Sequence, residues 1–213
     1  MIIQVQHRPG FAAFRCAARR ASLPSLFLAL LGATLARPAA ASTFTVGGAG
    51  CSHADLTAAL TAAALNPGLD EIHLLAGSSH QGQFLVSSDA LTIIGGFATC
   101  AAASPTGSST LLGTNSSRAL FLNSVGTVVL QNLNLTGGSV TGDGGGALFQ
   151  GSGAILLIDV LFFGNSATGK GGNVFVNASP GLVVTFAGTS LVSQGNAHDG
   201  GGLRSEHGHA RDA

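Results

Sequence analysis

The chain has 213 residues, 46% of them apolar and 8% charged, with nine Lys and Arg against nine Asp and Glu. That length leaves room for one folded domain with a sizeable core. Beyond the first forty residues no stretch is basic enough to hold a phosphate backbone, which argues against a nucleic-acid binder.

Residues 1–20 carry Arg8, Arg15, Arg19 and Arg20 and no acid; ASLPSLFLALLGATLA at 21–36 is uncharged, and Ala39, Ala40 and Ala41 follow. Basic, apolar and small in that order is the pattern of a secretory signal, here residues 1–41. The apolar part is short for a bilayer span, so an uncleaved anchor is the lesser alternative. Past residue 41, four bases face nine acids, a formal charge of −5. The neutral total thus hides an acidic mature chain. Cys16 lies in the leader, which leaves Cys51 and Cys100. In an oxidising compartment this isolated pair is a disulfide candidate, with two buried thiols as the alternative. No CxxC spacing points to redox chemistry.

Residues 42–69 read as an N-terminal strand and a capping helix. TFTVGG at 43–48 begins with the alternation of an edge strand. Ser52 with Asp55 three residues on has capping-box spacing. Leu56, Ala59, Leu60, Ala63 and Ala64 then mark one apolar helical face over 52–65, ended by Asn66-Pro67-Gly68. His53 is expected in the first helical turn.

Residues 70–203 read as short strands divided by glycine, serine and asparagine. The candidates are 71–77, 83–87, 91–97, 109–113, 119–123, 127–137, 147–150, 154–163, 173–177 and 181–188. His73 is expected on the outward side of its strand. In QNLNL, Leu133 and Leu135 fall on one face and Asn132 and Asn134 on the other. The segment Asn132–Leu135 matches Asp159–Phe162 at a shift of 27, Gly145-Gly146 precede Gly171-Gly172 by 26, and Asn196 follows Asn165 by 31. Recurring glycine corners at this spacing predict a parallel β-helix with about three strands per turn. Leu157, Val160 and Phe162 are expected inward, and Asp159 at a solvent-facing corner, because a lone buried carboxylate is costly. The helix is expected to close the first turn, with Cys51–Cys100 pinning it. Residues 204–213, RSEHGHARDA, read as a disordered or frame-disrupted tail. The chain is then expected to be a fragment of a longer solenoid, or one whose open end meets a partner.

GGAL at 145–148, FFGN at 162–165 and GGNV at 171–174 resemble the GGA[ILV] and FxxN repeats of bacterial polymorphic outer membrane proteins and related right-handed β-helix surface proteins. TIIGGFATC at 92–100 and the segment from Cys51 through ALTAAALNPGLDEIHL look like the N-terminal part of such domains. The resemblance implies an exported, surface-exposed β-helix active in adhesion or immune interaction. Two positions depart from the motif: Gly137-Gly138 stands where FxxN would fall, and Asn173 replaces a small residue.

Parallel β-helices also include sugar-cleaving enzymes, which need two carboxyl groups held across the scissile bond. Between residues 90 and 198 the only acids are Asp143 and Asp159 and the only Arg and Lys are Arg118 and Lys170. Sixteen residues separate the two acids, less than a full turn, so no catalytic site is expected. GDGGG at 142–146 lacks the lysine and helix of a phosphate loop. No histidine is placed to serve Ser190 or Ser193. His198, Glu206, His207 and His209 are read as tail rather than metal ligands, and no cofactor is expected. Asn165 and Asn196 are expected to stack structurally, the alternative being a ligand groove shared with Gln150 or Asn177.

The expectation is a mainly β chain: a right-handed parallel β-helix (pectin-lyase-like solenoid) with an N-terminal capping α-helix. Its expected role is non-enzymatic binding or adhesion, secreted or at the outer membrane, toward an unknown glycan or protein, with self-association through the open C-terminal end. The alternative is a carbohydrate-active β-helix enzyme of lyase or hydrolase type, intact or degenerate.

Overall fold

Apolar alternation cut short by glycine yields strands of two to eight residues, and such strands gain stability by stacking on neighbouring turns rather than by length. A computed structural model describes residues 40–87, 90–177 and 179–206. Most of the expected leader and the tail from residue 207 lie outside these. Strand β1 (Thr43–Val46) and helix α1 (Leu56–Leu65) come first. Turn one holds β2 (Asp70–Leu75), β3 (Ser79–Gln81) and β4 (Phe84–Val86). Turn two holds β5 (Ala90–Phe97), β6 (Ser109–Leu112) and β7 (Leu120–Ser124). Turn three has β8 (Thr127–Gln131), β9 (Leu133–Thr136), β10 (Ser139–Val140) and β11 (Ala147–Gly151). Turn four repeats it with β12 (Ala154–Ile158), β13 (Leu161–Phe163), β14 (Ser166–Ala167) and β15 (Val174–Asn177). Turn five has β16 (Val183–Ala187), β17 (Leu191–Ser193) and β18 (Leu203–Glu206).

These strands form three parallel sheets: β1-β2-β5-β8-β12-β16, then β3-β6-β9-β13-β17, then β4-β7-β11-β15-β18, with β10 and β14 paired beside them. Counting the β1–α1 layer beneath turn one, the described residues form a parallel β-solenoid of about six turns. Leu161 lies over Asn134 and Phe162 over Leu135, the shift of 27 read from the sequence. Columns of apolar side chains fill the interior. One runs Phe44, Ile72, Ile93, Leu130, Leu157, Phe186; another runs His80, Leu111, Leu135, Phe162, Val192. Leu157, Val160 and Phe162 are all fully buried, as expected.

Turns three to five bend at residues of left-handed backbone, and these residues stack. Asn132, Asp159 and Gly188 have φ of 54°, 54° and 64° at the first corner. Gly137, Gly164 and Gln194 hold the second, and Gly144, Gly171 and Gly200 the third. Glycine, asparagine and aspartate tolerate this conformation best. Gln194 adopts it without that help.

Several expectations shift in detail. The helix starts at Leu56, not Ser52: Asp55 is its N-cap and accepts from the Ala58 N–H at 2.8 Å. Ser52 is bonded to Thr45 instead, and His53 pairs with Val46 as a β-bridge ahead of the helix. Leu56, Ala59, Leu60 and Ala63 are buried, whereas Ala64 faces solvent. The Asn66 side chain and the Ser42 N–H both donate to the buried Asp70 carboxylate, at 2.6 and 3.0 Å, tying the helix end to turn one. Cys51 and Cys100 are disulfide-bonded with Cα atoms 5.1 Å apart. Residues 204–206, expected as tail, belong to β18 and pair with β15. In turn five the inward Phe186 and Leu203 are 37% and 45% exposed, since no described strand covers that edge.

The glycine register is corrected by one residue. Ala147 pairs with Val174, so Gly144-Gly145-Gly146 stack on Gly171-Gly172-Asn173 at 27, not the glycine pairs at 26. Likewise Asn196 pairs with Ser166 rather than Asn165. The two asparagines therefore do not stack: Asn165 is 1% exposed, while Asn196 faces solvent.

Candidate functional site

Alternation in the third sheet sends Leu120, Leu122, Ala147 and Phe149 inward and their neighbours out. The outer face carries an apolar column: Leu85, Phe121, Leu148 and Phe175, ending in Arg204. Beside it lies a polar column, in which Asn123 pairs with Gln150 and Asn177 with Glu206. Leu85 is 55% exposed, whereas Phe175 is covered to 5%.

The third corner, which leads into this sheet, carries charges of alternating sign. The Asp143 Oδ1 accepts from the Lys170 N–H at 2.7 Å, and Lys170 pairs along its backbone with Asp199. Lys170 and Arg204 each form an ion pair with Glu206, and Arg204 also pairs with Asp199 at 3.3 Å. One turn earlier, Arg118 donates from Nε to Gly144 O at 3.1 Å and from Nη2 to Asp143 O at 2.9 Å. Its guanidinium carbon stands 5.8 Å from the Phe121 ring centroid. Burial lowers the Arg118 pKa and Asp143 opposes the shift; the group stays charged. A groove of about 410 Å³ opens at this corner, its walls drawn from turns one to four: Gln83, Asn115, Arg118, Val140, Thr141 and Thr168 among them. A tight turn closed by Thr114 and Ser117 sets the positions of Asn115 and Arg118.

Asp143 and Asp159 do not converge. Asp143 holds the third corner, while Asp159 stands at the first, half-buried, and accepts from the Thr189 N–H and hydroxyl at 2.7 and 2.8 Å. Those two bonds, the backbone one foremost, keep the Asp159 carboxyl below its ordinary pKa. His73 faces outward as expected, stacked on Phe97 and paired with Glu71. Among the described residues no group of three His, Cys, Asp or Glu side chains is arranged to hold a metal, and no helix is long and apolar enough to cross a membrane.

Apart from the solvent-facing Asn196, the motif residues sit in the core or where backbones meet. Gly145, Gly146, Gly171 and Gly172 line the third corner where adjacent backbones meet, and a Cβ on Gly145 would strike the carbonyls of Ser166 and Gly172. Asn165 is an internal clasp. Its Oδ1 accepts from Gly138 N at 2.8 Å, and its Nδ2 donates to Leu135 O at 3.0 Å and to the Asn173 Oδ1 at 2.8 Å. Asn173, fully buried, passes the chain on to Ser193 O at 2.7 Å. Two amides thereby link turns three, four and five. Asn173, Asp70 and the groove were missed by sequence reasoning. Asn173 was visible only as a departure from the motif.

His80 was missed too. It lies below Leu111 in the interior column, with its Nε2 2.9 Å from the Ser78 hydroxyl. Burial lowers its pKa, with the Asp55 charge opposing. Below about pH 6.5 the unfolded chain takes up a proton that the folded chain resists, so stability falls with pH there and is unaffected above it. His80→Leu should show a smaller loss of denaturation midpoint than wild type between neutral pH and pH about 5. Equal losses would show that His80 has no such role.

No family model, curated protein or solved structure matches this chain.

Proposed function

We propose that the chain is an exported, non-enzymatic binding protein, secreted or held at the cell surface, that engages its partner through the outer face of the third sheet. The observation that carries this reading is the pair of columns on that face: Leu85, Phe121 and Leu148 beside Asn123 and Gln150. An apolar strip edged by amides excludes water at its centre and orients a partner at its rim. The basic-apolar-small leader and the Cys51–Cys100 bond support export. A non-enzymatic role is supported by Asp143 and Asp159, which each bond to backbone at separate corners.

Two measurements test it. Residues 1–41 fused to a phosphatase that is active only outside the cytoplasm should give an active enzyme; an inactive fusion overturns export. Beads carrying the secreted chain should be retained under flow on glass coated with matrix protein, mucin or polysaccharide, and Phe121→Ser with Gln150→Ala should release them. Retention on none of these, or retention untouched by the double change, overturns the surface assigned. Release of unsaturated sugars from polygalacturonate would overturn the non-enzymatic reading.

A further inference from the structure

The groove at the third corner differs in kind from the sheet face beside it. Its one charged wall residue, Arg118, has the carboxylate of Asp143 as a counter-charge, so the site offers an anion little net attraction. The Arg118 Nη1 and the side chains of Gln83, Asn115 and Thr141 make no hydrogen bond to any described residue. They present donors and acceptors together, as amides and hydroxyls do. Arg118 is already fixed by two backbone carbonyls and rests on Phe121, so binding would cost little in ordering that side chain.

The groove also has a direction. Its residues come from turns one to four, so it crosses three inter-turn spacings, roughly 14 Å at about 4.8 Å each. An extended peptide adds itself to a free strand edge; here β7 and β11 are paired on both sides, β4 ends its sheet beside α1, and the open side of β10 is met by the Thr114 and Ser117 carbonyls, which accept from the Ser139 N–H. A ligand with hydroxyls on its edges, apolar ring faces for Val140, and no charge meets every condition.

We propose that this groove binds an uncharged oligosaccharide laid along the solenoid axis. The proposal rests on the binding-protein reading above and names the ligand class and the corner that takes it.

The test is calorimetric titration of the secreted chain with cello-, xylo-, manno-, malto- and chito-oligosaccharides from single sugars to hexamers, with oligogalacturonates as the charged comparison. At least one neutral series should bind, with affinity rising to about three or four units and then levelling, as a groove of roughly 14 Å requires. Asn115→Ala and Gln83→Ala, at exposed positions with no bond to lose, should each weaken binding by about three- to tenfold. Arg118→Lys should weaken it by about tenfold or more, since an ammonium cannot copy the planar fork. Circular dichroism should be unchanged in all three. Binding of no neutral series, binding of oligogalacturonates alone, or full affinity in Asn115→Ala and Gln83→Ala overturns the proposal. If the beads still adhere to protein-coated glass in that case, the sheet-face reading stands and only the sugar groove falls.

Discussion

Asn165→Ala should lower folding stability by about 4 kcal/mol, among the largest effects of any single polar change in the chain. The side chain is 1% exposed and serves three partners at once: Gly138 N, Leu135 O and the Asn173 Oδ1. Removing it strands the buried Gly138 N–H, at about 1–3 kcal/mol, and takes one bond each from Leu135 O and the Asn173 Oδ1, at about 1 kcal/mol apiece; the latter keeps only the 3.4 Å bond from the residue-165 N–H. Asn165→Asp keeps the acceptor for Gly138 but sets a carboxylate oxygen against two acceptors, so it should be no better tolerated. Asn196→Ala is the control, because that residue faces solvent and should change stability by less than about 0.5 kcal/mol. Urea denaturation of the three variants decides it. A loss below about 1 kcal/mol for Asn165→Ala would show that the amide chain does not clasp the turns.

The solenoid was legible where the turns repeat and obscure where they do not. Turns three and four are offset by 27 residues in all three sheets, from Thr127–Ala154 to Asn134–Leu161 and Ala147–Val174. Asn132 and Asp159 share the same φ of 54° because residues that tolerate left-handed backbone recur at that offset. Asp70 and Leu91 are only 21 apart, and Ala90 and Thr127 are 37 apart, so turns one and two carry no period for a reader to find. The strands missed, β3, β10, β14, β17 and β18, have two to four residues each. All contain serine, as in Ser139-Val140 and Ser166-Ala167. Nothing in such segments favours a strand except the ladder they join, and that preference arises only after stacking.

The same reasoning explains why the groove could not be read. Gln83, Asn115, Thr141 and Thr168 lie in segments separated by unequal distances, and only the coiling of the chain brings them to one corner. The FxxN reading found Asn165 as a motif but paired it with Asn196, since spacing alone cannot distinguish a register of 30 from one of 31. The hydrogen-bond requirement of a buried amide could have done so. Asn165 needs a nearby polar partner inside the core, and Asn173, eight residues on, is the one it bonds.

Phe162→Ala should lower stability by about 3–5 kcal/mol. The ring is fully buried in the column between Leu135 and Val192 and meets Phe149 edge-on, with centroids 6.3 Å apart at 76°. Phe163→Ala, one residue on and on the outer face, should lose clearly less, about 1–2 kcal/mol, because that ring is partly open to solvent. If the two losses were equal, the inward and outward faces of β13 would be misassigned. Where the loss appears matters as much as its size. A solenoid's stability is a sum over turns and their interfaces, and among the described residues turn five is stacked on turn four alone. A cavity at Phe162 should therefore release turn five first and leave turns one and two, held by α1 and the Cys51–Cys100 bond, the last to open. Amide exchange on the variant should show protection lost in β16 and β17 while β2 and β5 remain slow. Uniform loss of protection would mean that the stack opens as one cooperative unit.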